Sequence, residues 1–157
     1  MAMAPKLAPI GLPEVGMTVR SRGRTVGEAD VTMFSALTGD WHPQHSDAEW
    51  ATESQFGERI AHGMLVLSIA SGLLALDPAR VVALRAIREV VFKRPVHLGD
   101  TVHTEAEVIS AQPLDDQVGL VTMGLRVCNQ SGATALRGRL ELLWRVALET
   151  ERAPDAA

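Results

Sequence analysis

Between Gly39 and Ser46 the chain carries Asp40, Trp41, His42, Pro43, Gln44 and His45 in a row, a density of ionisable and aromatic groups found nowhere else in the sequence. A carboxylate and an imidazole five positions apart, on a loop restrained by a proline, can converge on one water molecule. Imidazole also titrates near neutral pH, so the pair suits acid–base work: taking a proton from water and returning one to carbon. A second feature is Gly63, which stands where a long apolar run begins. The first N–H groups of a helix lack internal partners and lie at the positive end of its dipole. A glycine there lets a carbonyl oxygen come close, and charge growing on that oxygen would be stabilised. Taken singly, Asp40 could cap the next segment, His45 could be a surface residue and Gly63 a close-packing position. Asp40, His42, His45 and His62 also have the ligand types of zinc or iron. No HExxH or facial-triad context accompanies them, so no metal is expected.

The elements that must position these residues follow from periodicity. Val15 to Val26 reads as two short extended segments turned at Ser21 to Gly23. Asp30 is a suitable N-cap for a short amphipathic helix over 30–38, with Val31, Phe34 and Leu37 on one face and Gly39 as its stop. Ala48 to Phe56 reads as another short helix. The run from Ile60 to Leu76 is apolar on nearly all sides, which predicts a helix buried nearly all round. Ser71 lies on it, two turns beyond Gly63; such a serine can simply bond a carbonyl of its own helix.

The second half changes period. Leu136, Leu140, Leu142, Trp144 and Val146 alternate with Arg137, Arg139, Glu141 and Arg145, the pattern of a half-buried strand. Similar alternation runs through Val102 to Val108 and Val121 to Val127, with a hairpin turn at Asn129 to Gly132. Val81 to Phe92 is also strand-like. A buried helix on one face of an antiparallel sheet makes the fold class α+β. One domain over 15–148 is expected, with an N-terminal arm over 1–14 and a frayed tail over 149–157.

With 157 residues, of which 46% are hydrophobic, one core can form. The net charge of −4 leaves no basic field for nucleic acid or an anionic membrane. The longest apolar stretch is too short to span a bilayer, and no signal peptide is evident, so a cytoplasmic setting is expected. Cys128, the single cysteine, reads as a buried strand residue. Trp41 reads as a packing residue, His97 and His103 as polar strand-face residues, and Lys93 and Arg94 as solvated cations.

The run Phe34-Ser-Ala-Leu-Thr-Gly-Asp-Trp-His-Pro-Gln-His-Ser-Asp47, followed by Ala61-His-Gly-Met-Leu65, resembles the hydratase motif of the MaoC and (R)-specific enoyl-CoA hydratase family. The similarity continues through Phe92-Lys-Arg-Pro-Val96 and Leu98-Gly-Asp100. One position departs: His42 stands where the family pattern has Asn. The resemblance implies a hot-dog fold, an antiparallel sheet wrapped around one long central helix. It implies Asp40 and His45 as the catalytic pair, with Gly63 as oxyanion donor, and Ser71, His42, His62 and Met64 at the substrate. It also implies an acyl-thioester substrate, coenzyme A only as part of that substrate, no other cofactor, and a homodimer or dimer-based oligomer. The activity expected is reversible hydration of a trans-2-enoyl thioester. An acyl-CoA thioesterase and a non-catalytic acyl-binding subunit are the alternatives.

Overall fold

The structure, a computed structural model, describes residues 11–147. Along the chain these form β1 (Thr18–Arg20), β2 (Arg24–Thr25), α1 (Glu28–Thr38), α2 (Pro43–Ser46), α3 (Ala48–Glu53) and α4 (Gly63–Leu73). Four long strands follow: β3 (Val81–Phe92), β4 (Thr101–Pro113), β5 (Val118–Cys128) and β6 (Thr134–Arg145). The sheet runs β1-β4-β5-β6-β3, with β2 beside β4, and every pairing is antiparallel. The α+β expectation holds.

Alternation places the core. Register pairs Ala106 with Leu125, Val108 with Met123, Met123 with Leu140 and Val127 with Leu136, so residues of one parity stand side by side on one face. That face is buried, and α4 covers it with Leu65, Val66, Leu67, Ile69 and Ala70. Each such Leu or Val contributes about 1.5–3 kcal/mol by leaving water. The buried Thr104 hydroxyl on β4 donates to the Ala70 carbonyl at 3.1 Å, tying helix to sheet at its one polar inner position there. Opposite parity carries Glu105, Glu107, Arg126, Arg137 and Arg139 outward. Among the described residues no helix is long and apolar enough to cross a membrane.

Several boundaries move. The first helix starts at Glu28, with Gly27 as N-cap; Asp30 sits one turn inside and its carboxylate accepts the Gly27 N–H at 2.9 Å. Asp30 therefore caps from within the first turn. Gly39 ends the helix as expected, at φ 78°, with its N–H on the Ser35 carbonyl. The helix at Ala48 stops at Glu53, where the chain turns through Ser54 and Gly57. The central helix is shorter than the apolar run. Ile60 bridges His97, and the Ala61 N–H donates to Val96, so the start of the run is drawn into extended pairing. The 11 residues left span about 16 Å, and the helix is not buried all round: Met64 is 55% exposed, and Ser68 also faces out. The sheet of one chain covers only one side of it.

β1 and β2 pair with successive parts of β4 and not with each other, because Ser21 N–H is taken by the Thr104 carbonyl at the turn. The hairpin at Asn129 is built by its own side chain, which accepts N–H groups from Ser131 and Ala133, and by Gly132 at φ 78°. Packing reaches past the boundary at Val15: Leu12 is buried, and the Gly11 carbonyl accepts the Trp144 indole N–H. Most of the expected arm and the whole tail from 149 lie outside the described residues.

Candidate active site

His45 owes its position to one turn of helix. Pro43 supplies a fixed φ at the first position of α2, and the His42 Nδ1 accepts the Gln44 N–H at 3.2 Å. His42 is thus the N-cap of the turn, which explains how imidazole replaces an amide there: both offer an acceptor at the same reach. His42 does not line the pocket; its ring meets Trp50 edge-on at 5.5 Å. His42→Ala is expected to lower stability by about 0.5–2 kcal/mol, whereas His42→Asn stays close to wild type. Urea unfolding of the two variants measures this, and equal losses in both would contradict it.

The rest of His45 is held by its own hydrogen bonds. It is 4% exposed, and its Nδ1 lies 2.7 Å from the Ile60 carbonyl. A carbonyl only accepts, so Nδ1 carries the proton and Nε2 presents a lone pair, 3.0 Å from the Gln44 amide nitrogen that can donate to it. Burial holds the pKa of His45 below the ordinary histidine value; the Ile60 bond and Asp40 oppose that fall, while His62 and His42 add to it. A proton acceptor works only when neutral, so turnover is expected to persist as pH falls through about 6.5, with its acid limb below that value. A kcat/KM profile with an acid limb above about 6.5 would contradict the assignment. The sign for stability is the same: the unfolded chain binds this proton more readily, so stability declines as pH drops below the unfolded value.

Asp40 follows the αL stop of α1 and stays exposed, its Oδ1 accepting the His42 N–H at 3.2 Å. Asp40, His45 and His62 each place one titratable atom within 4.8 Å of the others. The rings of His45 and His62 stack at 3.8 Å and 26°. A cavity of about 720 Å³ opens on this group, and Asp40, His45, His62, Gly63 and Met64 all line it. Its apolar wall includes Phe34, Phe56 and Phe92, which are all the phenylalanines of the chain. Lys93 and Arg94 stand on the same wall.

Gly63 is the first residue of α4, with His62 as its N-cap, so its N–H has no acceptor within the helix. A Cβ at this position would lie 2.7 Å from the Phe92 ring. Gly63 therefore serves close packing as well as open access. Ser71 is not brought to this pocket; its hydroxyl donates to the Leu67 carbonyl at 3.0 Å, the ordinary bond of a helix serine. Trp41, expected to pack, is 53% exposed.

Two contributors went unread in the sequence. Ser35 is buried, one turn after Val31 on the covered face of α1, and its hydroxyl lies 3.2 Å from His62 Nε2. A polar residue in an apolar stripe was the available signal. Gln44 was passed over as a loop residue. A second grouping, His103, Glu105 and Cys128, lies across β4 and β5 away from the pocket. Its carboxylate pairs with Arg126 and Arg20, so it forms part of an ion-pair network on the outer sheet face, and Cys128 is buried as expected.

The MaoC like domain model matches residues 12–130. The chain belongs to the MaoC-like family. The (R)-specific enoyl-CoA hydratase of Aeromonas caviae is 36% identical over 125 residues, which cover 80% of this chain and 90% of that protein. The solved structure of the A. caviae (R)-hydratase aligns with a TM-score of 0.71 at 33% identity, over 83% of this chain and 96% of that one. A protein from Archaeoglobus fulgidus described as a monoamine oxidase regulatory protein aligns with a TM-score of 0.83 at 39% identity, covering 89% of this chain and 97% of its own. A Mycobacterium tuberculosis protein with a double hotdog fold aligns at 0.78 and 19% identity, covering 90% of this chain and 44% of that one, a likeness of fold alone. This MaoC-like chain is a hot-dog domain, with the 11-residue α4 packed on the buried face of its sheet.

Proposed function

We propose that the protein adds water reversibly across the double bond of a trans-2-enoyl thioester to give a 3-hydroxyacyl thioester, in the (R) sense. The observation that carries this reading is convergence: an imidazole with its proton on Nδ1 and an unprotonated Nε2, a carboxylate and the first residue of a helix border one cavity with an apolar wall. Water held between Asp40 and His45 loses a proton to the imidazole and attacks C3. The Gly63 N–H faces the thioester oxygen as enolate charge grows, and the Asp40–His45 pair returns a proton to C2. Gln44 and Ile60 hold His45 in the tautomer that this requires.

The pair needs no metal in this scheme. His45 Nδ1 and His62 Nε2 are engaged by backbone carbonyls, and His45 Nε2 has Gln44 against it, so three of the four nitrogens of the two rings already have hydrogen-bonding roles. Coenzyme A enters as part of the substrate. Turnover that survives chelation agrees with this, and stoichiometric metal in the purified protein would overturn it.

The assembly proposed is a homodimer in the cytoplasm. β3 is an edge strand of 12 residues that leaves Val82, Leu84 and Ile87 more than a third exposed, and edges of this kind are usually covered. A solution mass equal to the 16.9 kDa chain would contradict it. Acyl preference is tested with enoyl-CoAs of increasing length, resolving the hydroxyacyl products by chirality. An (R)-3-hydroxyacyl product supports the reading; an (S) product would overturn its stereochemistry.

A further inference from the structure

His62 performs none of the chemical tasks above, yet it is 98% enclosed and its ring meets α1, the Asp40 loop and α2. Its Nε2 lies 3.0 Å from the Asp40 carbonyl oxygen and 3.2 Å from the Ser35 hydroxyl. The carbonyl can only accept, so Nε2 carries the ring proton and Nδ1 is left with a lone pair. That Nδ1 is buried without a hydrogen-bond partner among the described residues, an arrangement that disfavours the residue unless its other contacts matter. One face of the ring stacks on His45 at 3.8 Å, and Phe34 leans on it at 5.0 Å. Its backbone caps α4 immediately before Gly63, accepting the Val66 N–H.

These contacts have one geometric result. The Asp40 carbonyl fixes where the adjoining carboxylate stands. The stack fixes the plane of His45, already held at one edge by Ile60. The cap places Gly63. We propose that His62 is a positioning residue, whose single ring sets the Asp40 carboxylate, the His45 imidazole and the start of α4 in mutual register. The proposal rests on the hydration reading for what that register accomplishes. It also replaces the expected role of His62 as a direct substrate contact.

Two substitutions separate the contacts. His62→Phe keeps a ring against His45 and loses the N–H to Asp40; His62→Gln keeps an N–H near the Nε2 position and loses the ring. Misplacement of a reacting group by about 1 Å costs on the order of 100-fold. His62→Phe is therefore expected to lower kcat about 10- to 100-fold with KM within about threefold. His62→Gln recovers part of kcat, and by opening one face of His45 to water it moves the acid limb of kcat/KM upward. The titratable groups facing His45 from the neighbouring segments are Asp40 and His42, with Lys93 and Arg94 on the same cavity wall, and all are unchanged in both variants. α1 meets the His62 ring with Phe34 and Ser35, neither of which titrates.

Unchanged kcat and pH profile in both variants would overturn the proposal, as would a rise in KM at constant kcat, which marks a substrate contact. If neither variant folds, imidazole nitrogen spectra of the wild-type protein decide: proton on Nε2 of His62 and on Nδ1 of His45 is expected, and the opposite tautomer at His62 would sink it. These spectra do not depend on turnover. Should the wild type hydrate no enoyl thioester, the functional reading falls, while the tautomers and the His45 titration still judge the role of His62.

Discussion

Asp40→Asn and His45→Gln are each expected to fold and to lose most turnover, by about 10²- to 10⁴-fold in kcat, with the double variant little worse than either. Asp40 is exposed and makes one hydrogen bond through its Oδ1, so an isosteric amide disturbs little besides its charge. His45→Gln also loses the bond to the Ile60 carbonyl, at about 1 kcal/mol of stability, which urea unfolding measures separately. Non-additivity is the diagnostic part. Two groups sharing one water are each useless without the other, whereas independent structural residues give losses that add. Mild, additive effects on kcat would show that the pair is not a catalytic unit.

Gly63→Ala is the second large effect. Its methyl would meet the Phe92 ring at 2.7 Å, and Phe92 is 51% exposed, so the ring can turn away with little cost to the fold. The methyl then occupies the space through which a thioester oxygen would approach the Gly63 N–H. Loss of an oxyanion donor costs about 10²- to 10³-fold in kcat, and a fall of at least about 100-fold is expected, with melting temperature nearly unchanged. The double variant Gly63→Ala/Phe92→Ala separates the causes. Activity that stays low places the loss at the oxyanion position; recovery would reduce Gly63 to a packing residue.

What the chain discloses and what it conceals have physical reasons. The strands around Met123 and Leu140 were legible because one face is buried and the other solvated, so polarity alternates residue by residue. β4 runs on to Pro113, beyond the last alternating residue, because its end is held by pairing with β5 alone while Ile109 lies exposed. α4 was overestimated for a related cause: Ile60 and Ala61 are as apolar as the helix that follows, and only their pairing with His97 and Val96 removes them from it. Composition cannot signal a partner strand that lies far along the chain.

The site divides similarly. Asp40, His45, His62 and Gly63 could be named from their types and order, and the fold brings them to one cavity. Their atomic duties could not. His42 looks like a ligand-binding residue in sequence, but its nitrogen is spent on a helix cap two residues away. Ser71 has the right spacing from Gly63, yet a hydroxyl on a helix has its own backbone carbonyl within reach. Ser35 was silent because its importance lies in a contact with a residue 27 positions away.

The central claim is hydration, and the most direct test is purified protein with crotonyl-CoA, following the enoyl absorbance while a disulfide reagent reports free thiol. Loss of the enoyl signal with a 3-hydroxyacyl product and no thiol is predicted. Release of thiol without hydration would contradict the account and make the protein a thioesterase on the same fold.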